Sequence, residues 1–276
     1  MYNLEGKVAI VTGSGGEKGI GRAIAMRLAE EGADIVVNDI MEQPHGITTW
    51  GGMKQVVQEI QAMERRAMGI VADVSSASDV QRMVDATIGE MGQIDILVNN
   101  AGTPAGKDRV LVVDLEEAEW DRVLNVNVKG TFLMAQAVAR HMIARGGGGK
   151  IINISSTAGK SGYPRYAAYC SSKFAVRGFT QSLAQELGPY GINVNAICPA
   201  LIASERIDHI AAATAPEGVS AEEQRRRMVE GNIARTPMGR LAEVNDIART
   251  AAFLASDEAE FLSGLSISVA GGSQMH

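Results

Sequence analysis

Cysteine, histidine and aromatic residues are scarce in this chain, and each shortage excludes a class of protein. Two cysteines, Cys170 and Cys198, are too few for a disulfide framework and suit a reducing compartment. The histidines lack ligand spacing, so the sequence predicts no metal site. They are His45, His141, His209 and His276. Aromatic residues make up only 4 % of the chain, which leaves no obvious platform for stacking nucleic-acid bases.

Basic clusters and long apolar runs are also missing. The net charge is −6, and the one short basic cluster, Arg225–Arg227, follows Glu222 and Glu223. We interpret that cluster as a solvated helix face and expect no nucleic-acid partner. No apolar stretch is long enough to span a bilayer, and the first seven residues lack the apolar core of a secretory signal. We therefore expect a soluble cytoplasmic protein with no membrane partner.

Glycine is abundant by contrast, with 31 residues in a chain of 276, and strand-like and helix-like patterns alternate along it. Val8–Val11 is a short continuous apolar run, as expected of a parallel strand buried on both faces. No linker divides the chain, so we predict a single α/β domain over residues 1–276. Repeated strand–helix units imply a doubly wound, mainly parallel seven-stranded sheet with helices on both faces. Such sheets bind ligands beyond the C-terminal ends of their strands.

Hydrophobic periodicity gives the approximate bounds of each element. The predicted strands cover residues 8–11, 35–37, 69–72, 94–98, 150–154, 192–197 and 265–269. The predicted helices cover residues 23–32, 53–66, 78–90, 115–145, 166–188 and 244–255. Residues 41–52 are predicted to be a loop and residues 146–149 a turn, and Ser75, Ser76 or Ser78 is expected to cap the third helix.

A Gly-rich segment, Thr12 to Gly21, links the first predicted strand to the first helix. Glycines permit a tight turn and let the backbone approach a pyrophosphate, and the helix N-terminus offers free N–H groups. Alone, such a loop could be only a turn. In its strand–loop–helix context it indicates dinucleotide binding, with Gly13, Gly19 and Ile20 as candidate contacts.

The acidic residue Asp39 lies at the end of the second predicted strand, eighteen residues after Gly21. A carboxylate there can accept hydrogen bonds from both ribose hydroxyls and would repel a 2′-phosphate, which favours NAD over NADP. Lys18 favours NADP, because its ammonium could meet that phosphate. We give Asp39 more weight, since the strand end fixes its position. The alternative interpretation of Asp39 is a turn-forming residue.

A phenol and an ammonium lie one helical turn apart at Tyr169 and Lys173. Residues four apart share a helix face, so the lysine charge lies near the tyrosine oxygen and lowers a pKa that is ordinarily about 10. Such a tyrosine can exchange protons with an alcohol or carbonyl oxygen near neutral pH. A chance pairing on a helix is the alternative. Ser156 lies thirteen positions upstream, directly after a predicted strand.

Further motifs follow these in a fixed order. They are Asn99–Gly102 after the fourth strand, Asn125–Gly130 in the long helix, Ser155–Ser156, Tyr169-x-x-x-Lys173 and Cys198–Ala200. With the Gly-rich loop in front of them, they make the chain resemble the short-chain dehydrogenase/reductase family over essentially its whole length. The resemblance implies a Rossmann-like fold and an NAD-dependent oxidoreductase acting on a small secondary alcohol or ketone.

The resemblance also implies a role for each matching residue. Tyr169 would be the general acid/base, and Lys173 would lower its pKa and hold the nicotinamide ribose. Ser156 would orient the substrate oxygen, and Asn127 would support a proton relay through water to Lys173. The other implied cofactor contacts are Asp73 and Val74 at the adenine, Asn100, Ala101 and Gly102 along the adenosine, and Pro199 and Ile202 at the nicotinamide.

The chain departs from the family pattern at a few places. Five residues separate Gly13 from Gly19, where the usual loop has three. Ala200 replaces the glycine that usually follows the proline, and Ser204 stands where threonine is common. Ala270 occupies a position where an acidic residue is frequent. None of these changes removes the residues that handle protons.

Two other functions compete with an NAD-dependent dehydrogenase. One is an NADP-dependent reductase resembling the 3-oxoacyl carrier-protein reductases of the same family. The other is a non-catalytic dinucleotide-binding protein. The non-catalytic alternative is disfavoured because the chain carries a full set of residues that a pure binding protein does not need. They are Asn127, Ser156, Tyr169 and Lys173.

The substrate site and the oligomer follow only from the resemblance. Residues 203–235 would form a substrate lid whose inner face includes Ile207 and Ile210, and Arg206 and His209 are candidates to meet an anionic group. Thr103 to Arg109 and Tyr163 to Arg165 would form other walls of the pocket. We expect a homo-oligomer, a tetramer by family resemblance. Its candidate interface residues, which could equally be core, are Leu124, Val128, Phe174 and Phe179.

Overall fold

Seven parallel strands form one sheet in the computed structural model, which describes residues 2–43, 49–204 and 206–275. The strands are β1 (Val8–Val11), β2 (Asp34–Asp39), β3 (Ala67–Val71), β4 (Ile96–Asn99), β5 (Gly149–Ile154), β6 (Ile192–Pro199) and β7 (Ser266–Val269). Their order is β3-β2-β1-β4-β5-β6-β7, and every neighbouring pair is parallel. The order reverses between β1 and β4, which is where doubly wound sheets open a binding crevice. The predicted doubly wound, seven-stranded sheet is confirmed.

The described ranges contain nine α-helices, six of which pack on the sheet. They are α1 (Ile20–Glu30), α2 (Gly52–Gln61), α3 (Ala77–Met91), α4 (Glu117–Leu124), α5 (Thr131–Arg145), α6 (Ala167–Leu187), α7 (Arg206–Thr214), α8 (Ala221–Arg235) and α9 (Val244–Ala255). Helices α1, α2 and α9 pack on one face of the sheet and α3, α5 and α6 on the other. Within the described ranges, no helix combines the length and the apolar character needed to cross a membrane.

Alternation along each strand divides the core into two halves. In β1, Ala9 and Val11 lie in the half under α1 and α9, while Val8 and Ile10 lie in the half under α3 and α5. All four side chains are buried because successive residues of a strand point to opposite faces. Helices on both faces therefore explain the continuous apolar runs of the sequence.

The stretch predicted as one helix, residues 115–145, consists of two α-helices joined by a π-helical turn, Asn125–Gly130. Within the turn, the Thr131 hydroxyl donates to the Asn127 carbonyl at 2.8 Å. A side-chain hydroxyl that bonds to the backbone competes with the regular helix ladder, and helical periodicity does not register that competition. Single-turn π-helices of this kind are frequent at functional sites.

Two predicted boundaries around β3 are wrong. Helix α2 ends at Gln61 rather than at residue 66, and β3 begins at Ala67 rather than at residue 69. Glu64 has a φ of +62°, in the left-handed region, so the chain leaves the helix before that point. The prediction of a serine cap on α3 is confirmed, because the Ser76 side chain accepts from the Asp79 backbone N–H. Part of the predicted loop 41–52, with His45, as well as His276, lies outside the described residues.

Candidate active site

The Gly-rich loop after β1 is packed too tightly for side chains at two of its glycines. Gly13 has a φ of +62°, and a Cβ there would lie 2.8 Å from the Ala101 Cα. A Cβ at Gly21 would lie 2.3 Å from the Gly13 carbonyl oxygen. Helix α1 then begins at Ile20 with no side-chain cap and no acidic residue in its first turn. An uncapped helix N-terminus beside a bare backbone is a fitting cradle for the pyrophosphate of a dinucleotide.

The extra residues of this loop are held by hydrogen bonds at Gly15. Its N–H donates to the Asp39 Oδ2 at 3.0 Å, and its carbonyl accepts from the Trp50 Nε1 at 2.8 Å. The Arg22 guanidinium lies 5.2 Å from the centre of the Trp50 ring and forms a 2.6 Å ion pair with Glu59. Asp39 therefore faces the loop from the C-terminal end of β2. Trp50 is a residue that the sequence did not identify, because nothing in its flanking loop indicates a contact with Gly15.

A network around Thr12 joins the ends of β1 and β4. The Asn100 side chain donates to the carbonyls of Thr12 and Gly13 at 2.9 and 2.8 Å. The backbone N–H groups of Asn100 and Ala101 both donate to the Thr12 hydroxyl at 3.0 Å. Gly102 follows, and a Cβ there would lie 3.1 Å from the Asn127 Oδ1. Three of the predicted adenosine-side residues thus belong to one rigid junction at the crevice.

The remaining predicted cofactor residues lie at the C-terminal ends of β3 and β6. Asp73 and Val74 come just after β3, where the Asp73 carboxylate accepts from the backbone and hydroxyl of Ser75, both at 2.8 Å. Pro199 is the last residue of β6, and Ile202 pairs through its backbone with Ala242. Pro199 and Ile202 line the same cavity as Tyr169.

Asn127 is buried in the π-helical turn, where its side chain is held at both ends. Its Oδ1 accepts from the Thr103 backbone N–H at 3.0 Å, and its Nδ2 donates to the Ser172 Oγ at 3.0 Å. The Ser172 hydroxyl donates in turn to the Tyr169 carbonyl at 2.7 Å. This chain of bonds links the π-helical turn directly to the helix that carries Tyr169 and Lys173.

Helix α6 brings Tyr169 and Lys173 to the end of β5. Lys173 is only 5 % exposed, and its Nζ donates to the Ile154 carbonyl at 2.8 Å. The same nitrogen lies 5.7 Å from the centre of the Tyr169 ring. The two neighbouring serines differ: the Ser155 hydroxyl donates to the Lys173 carbonyl at 2.8 Å, while the Ser156 Oγ accepts from the Ala158 N–H at 3.1 Å.

Opposing effects act on the acidity of Tyr169. Burial raises the pKa of its phenol, but Lys173, Arg206, the Ser156 hydroxyl and Arg109 together lower that pKa below the ordinary tyrosine value. Burial also lowers the pKa of Lys173, and the neighbouring tyrosine opposes that shift. The site is therefore built to favour a phenolate next to a buried cation, which is the property of a proton acceptor for a weakly acidic hydroxyl.

Tyr169 borders a cavity of about 760 Å³, a size suited to a small ligand. Tyr163, Tyr166 and Tyr169 form an edge-to-face series with ring centres 6.2 and 6.4 Å apart. Predicted site residues that line this cavity are Ile20, Asn100, Ser156, Tyr169, Lys173, Pro199 and Ile202.

The predicted substrate-side residues divide into those that line the cavity and those that do not. Ile207 and Ile210 of α7 line it, as does Arg206. His209 is exposed and lies outside the lining. Of the predicted walls, residues 163–165 and Arg109 contribute, whereas residues 103–108 do not.

Arg109 is a second residue that the sequence did not identify for a specific role. Its guanidinium lies 4.5 Å from the centre of the Tyr166 ring and 4.6 Å from that of Tyr169. It is 3 % exposed and forms an ion pair with Asp108. A cation over the ring face fixes the orientation of the phenol. No local pattern indicates this contact, because sixty residues separate Arg109 from Tyr169.

The family model of the short chain dehydrogenases matches residues 7–214, and the chain belongs to this family. It is 37 % identical over 271 residues to 2-dehydro-3-deoxy-D-gluconate 5-dehydrogenase of Dickeya dadantii (strain 3937), covering 98 % of this chain and 96 % of that one. It superimposes on an NAD⁺-bound xylitol dehydrogenase with a TM-score of 0.85 and 33 % identity, covering 98 % and 99 % of the two chains. A gluconate 5-dehydrogenase from Burkholderia cenocepacia J2315, solved with NADP and tartrate, gives a TM-score of 0.84 and 35 % identity, covering 98 % and 96 %. The protein is therefore an oxidoreductase of the short-chain type.

Proposed function

We propose that this protein is an NAD-dependent dehydrogenase that interconverts a small secondary alcohol and its ketone, with Tyr169 as general acid/base. This proposal depends chiefly on one observation: the Tyr169 phenol borders a cavity beside the buried Lys173, and the pKa of the phenol is lowered. This arrangement lies at the same edge of the sheet as the glycine cradle.

The side chains supply proton handling and orientation. A bound nicotinamide supplies the hydride acceptor, which no side chain can provide. Tyr169, as phenolate, accepts the hydroxyl proton of the alcohol, and Ser156 hydrogen-bonds the same oxygen. Lys173 stabilises the phenolate by its charge, and Asn127 supports the water that returns the proton to solvent. In the direction of ketone reduction, the Tyr169 phenol donates its proton instead.

The residues around the adenosine end support NAD rather than NADP. The Asp39 carboxylate faces the glycine loop from the end of β2 and would repel a 2′-phosphate. The Arg22 guanidinium, which lies over the Trp50 ring, is already paired with Glu59. Lys18 is exposed and favours the second candidate, an NADP-dependent carbonyl reductase. Of the two solved relatives compared above, one carries NAD⁺ and the other NADP, so the preference rests on these residues.

Titration of cofactor fluorescence tests the preference. The wild-type protein should bind NADH at least about tenfold more tightly than NADPH, because an unpaired like charge is costly. Asp39→Asn should improve NADPH binding and so reduce the ratio of NADH affinity to NADPH affinity. Asp34→Asn, at the opposite end of β2, is the matched control and should leave the ratio unchanged. Tighter binding of NADPH by the wild-type protein would favour the reductase.

We also assign residues 203–235 as a substrate lid and expect a homo-oligomer. Ile207 and Ile210 of the lid line the cavity, and α8 buries none of its residues. Phe132 of α5 and Phe174 of α6 are 40 % and 44 % exposed, which supports an apolar contact between copies of the chain. Light scattering should give a solution mass of about four times 29.2 kDa, and a mass of 29.2 kDa would contradict the oligomer.

A further inference from the structure

The cavity beside Tyr169 carries more positive charge than proton transfer requires. Its lining includes the Lys173 ammonium and four guanidinium groups, and no carboxylate belongs to the lining among residues the structure describes. The arginines are Arg109, Arg165, Arg206 and Arg235. The chain as a whole has a net charge of −6, so this cluster of positive side chains differs in sign from the rest of the protein. A cleft of one charge sign attracts ligands of the other.

One of these arginines already has a partner. Arg109 forms a buried ion pair with Asp108, which also lies 3.4 Å from the Arg122 Nη2. The charge of Arg109 is therefore largely balanced, and its role is to orient Tyr166 and Tyr169.

Arg165 and Arg206 are held by carbonyl oxygens instead. Arg165 donates to the carbonyls of Arg109 and Thr214, both at 3.1 Å. Arg206 donates to the Thr103 carbonyl and, at 3.4 Å, to that of Gly102. Neither has a carboxylate partner within residues 2–43, 49–204 and 206–275. Carbonyl acceptors fix a guanidinium in place while leaving its full charge for a ligand.

The backbone at Arg165 is unusual for an arginine. Its φ is +69°, in the left-handed region that glycine and asparagine adopt far more readily. Backbone strain of this kind persists where the surrounding structure requires it and is concentrated at ligand sites. Here the strained residue places a half-buried guanidinium in the wall of the cavity.

We infer that Arg165, together with Arg206, binds an anionic group of the substrate, so that the protein acts on alcohols or ketones that carry a carboxylate or a phosphate. This inference rests on the proposed function, because it names the substrate class of the same site. Guanidinium groups recognise both anions through paired N–H donors. The cavity of about 760 Å³ also includes predicted nicotinamide contacts such as Pro199 and Ile202, so a small substrate with an anionic end would share this space with the cofactor.

Binding to the NADH-saturated protein tests the inference without depending on turnover. Two matched sets of probes are used: glucitol, gluconate and glucitol 6-phosphate share one carbon skeleton, and 3-hydroxy-3-phenylpropanoate and its amide share another. Calorimetry should show that the anionic members bind at least about tenfold more tightly than the neutral ones on at least one skeleton. Comparison of gluconate with glucitol 6-phosphate distinguishes a carboxylate site from a phosphate site.

Arg165→Asn removes the cation and suits the left-handed backbone, so the fold should persist. It should weaken binding of the anionic probes about 10- to 100-fold and leave the neutral probes unchanged. Arg165→Lys should recover part of the loss. Arg140→Gln removes an exposed cation of α5 that does not line the cavity, and it should change nothing.

Two results would overturn the inference. Equal or undetectable binding of charged and neutral probes on both skeletons would remove the charge preference. The second result is that Arg165→Asn weakens NADH binding by as large a factor as it weakens binding of the anionic probes. Arg165 would then bind the cofactor phosphates rather than the substrate. Failure of the proposed function looks different: the anionic probes would bind tightly, yet no alcohol would yield NADH with NAD⁺.

Discussion

At the scale of single residues, the acidity of Tyr169, the proposed proton acceptor, depends on a balance between burial and charge. Burial alone would make the phenol a weaker acid, because a buried phenolate is poorly solvated. Lys173 opposes that effect, and the pKa falls below the ordinary tyrosine value because Arg206, the Ser156 hydroxyl and Arg109 act in the same direction as Lys173. The lysine is itself fixed by the Ile154 carbonyl, so its charge cannot swing away to solvent.

Replacing the lysine should move the pH profile of the reaction. Lys173→Met keeps the side-chain volume and removes the charge, so the pKa of Tyr169 should rise. In the proposed alcohol oxidation the phenolate of Tyr169 is the active form. In the wild-type protein, kcat/KM should rise with pH, with a midpoint below about 10. This midpoint should therefore shift to higher pH in the variant. An unmoved limb in Lys173→Met would contradict the role of the lysine charge.

At the scale of elements, the π-helical turn Asn125–Gly130 and helix α6 form one unit. Ser172 joins them, since it accepts from the Asn127 side chain and donates to the Tyr169 carbonyl. The Asn-x-Asn-x-x-Gly motif and the Tyr-x-x-x-Lys motif could each be read from the sequence. Their connection could not, because it is a hydrogen bond between side chains 45 positions apart, and such a contact has no sequence period.

Removing the connecting hydroxyl should weaken this unit. Ser172→Ala leaves the buried Asn127 Nδ2 without its acceptor, which should lower the free energy of unfolding by about 1–3 kcal/mol. Ser171→Ala, an exposed change on the neighbouring position of α6, should alter it by less than about 0.5 kcal/mol. Urea denaturation of both variants measures the difference. Equal changes in the free energy of unfolding in the two variants would mean that the hydrogen bond between Asn127 and Ser172 does not stabilise the fold.

Helices α7 and α8 form the segment that we assign as the lid. They are tied to each other by Arg225 and Asp208 at 2.7 Å, and the neighbouring Arg226 and Arg227 are exposed and paired with Glu223. The sequence interpretation of this basic cluster as a solvated helix face is thus confirmed.

Closure of the lid should be visible by limited proteolysis. Trypsin should cut α8 at Arg225–Arg227 in the free protein, because these side chains are exposed. Saturation with NADH and a bound substrate analogue should slow that cut several-fold, while cleavage elsewhere stays unchanged. If neither NADH nor the substrate analogue changes the rate of cleavage at α8, the assignment of this segment as a lid would be contradicted.

At the scale of the whole molecule, the sequence predicts most of the architecture and much of the candidate site. Apolar runs such as Val8–Val11 and Ile151–Ile154 identify the buried strands because helices cover both faces of the sheet. Strand ends then bring Asp39, Asn100 and Ser156 to one edge. The specific contacts of Trp50, Arg109 and Arg165 could not be predicted, because each joins segments that are distant in the sequence.

The central claim is that Tyr169 exchanges the substrate proton in an NAD-dependent reaction. The most direct measurement is the rate of NADH formation from NAD⁺ and the best alcohol of a substrate panel, by the wild-type protein and by Tyr169→Phe. We expect kcat of the variant to fall by a factor of about 10²–10⁴, the usual contribution of a general acid/base, while NADH affinity stays nearly intact. A variant that retains most of its turnover would contradict the account.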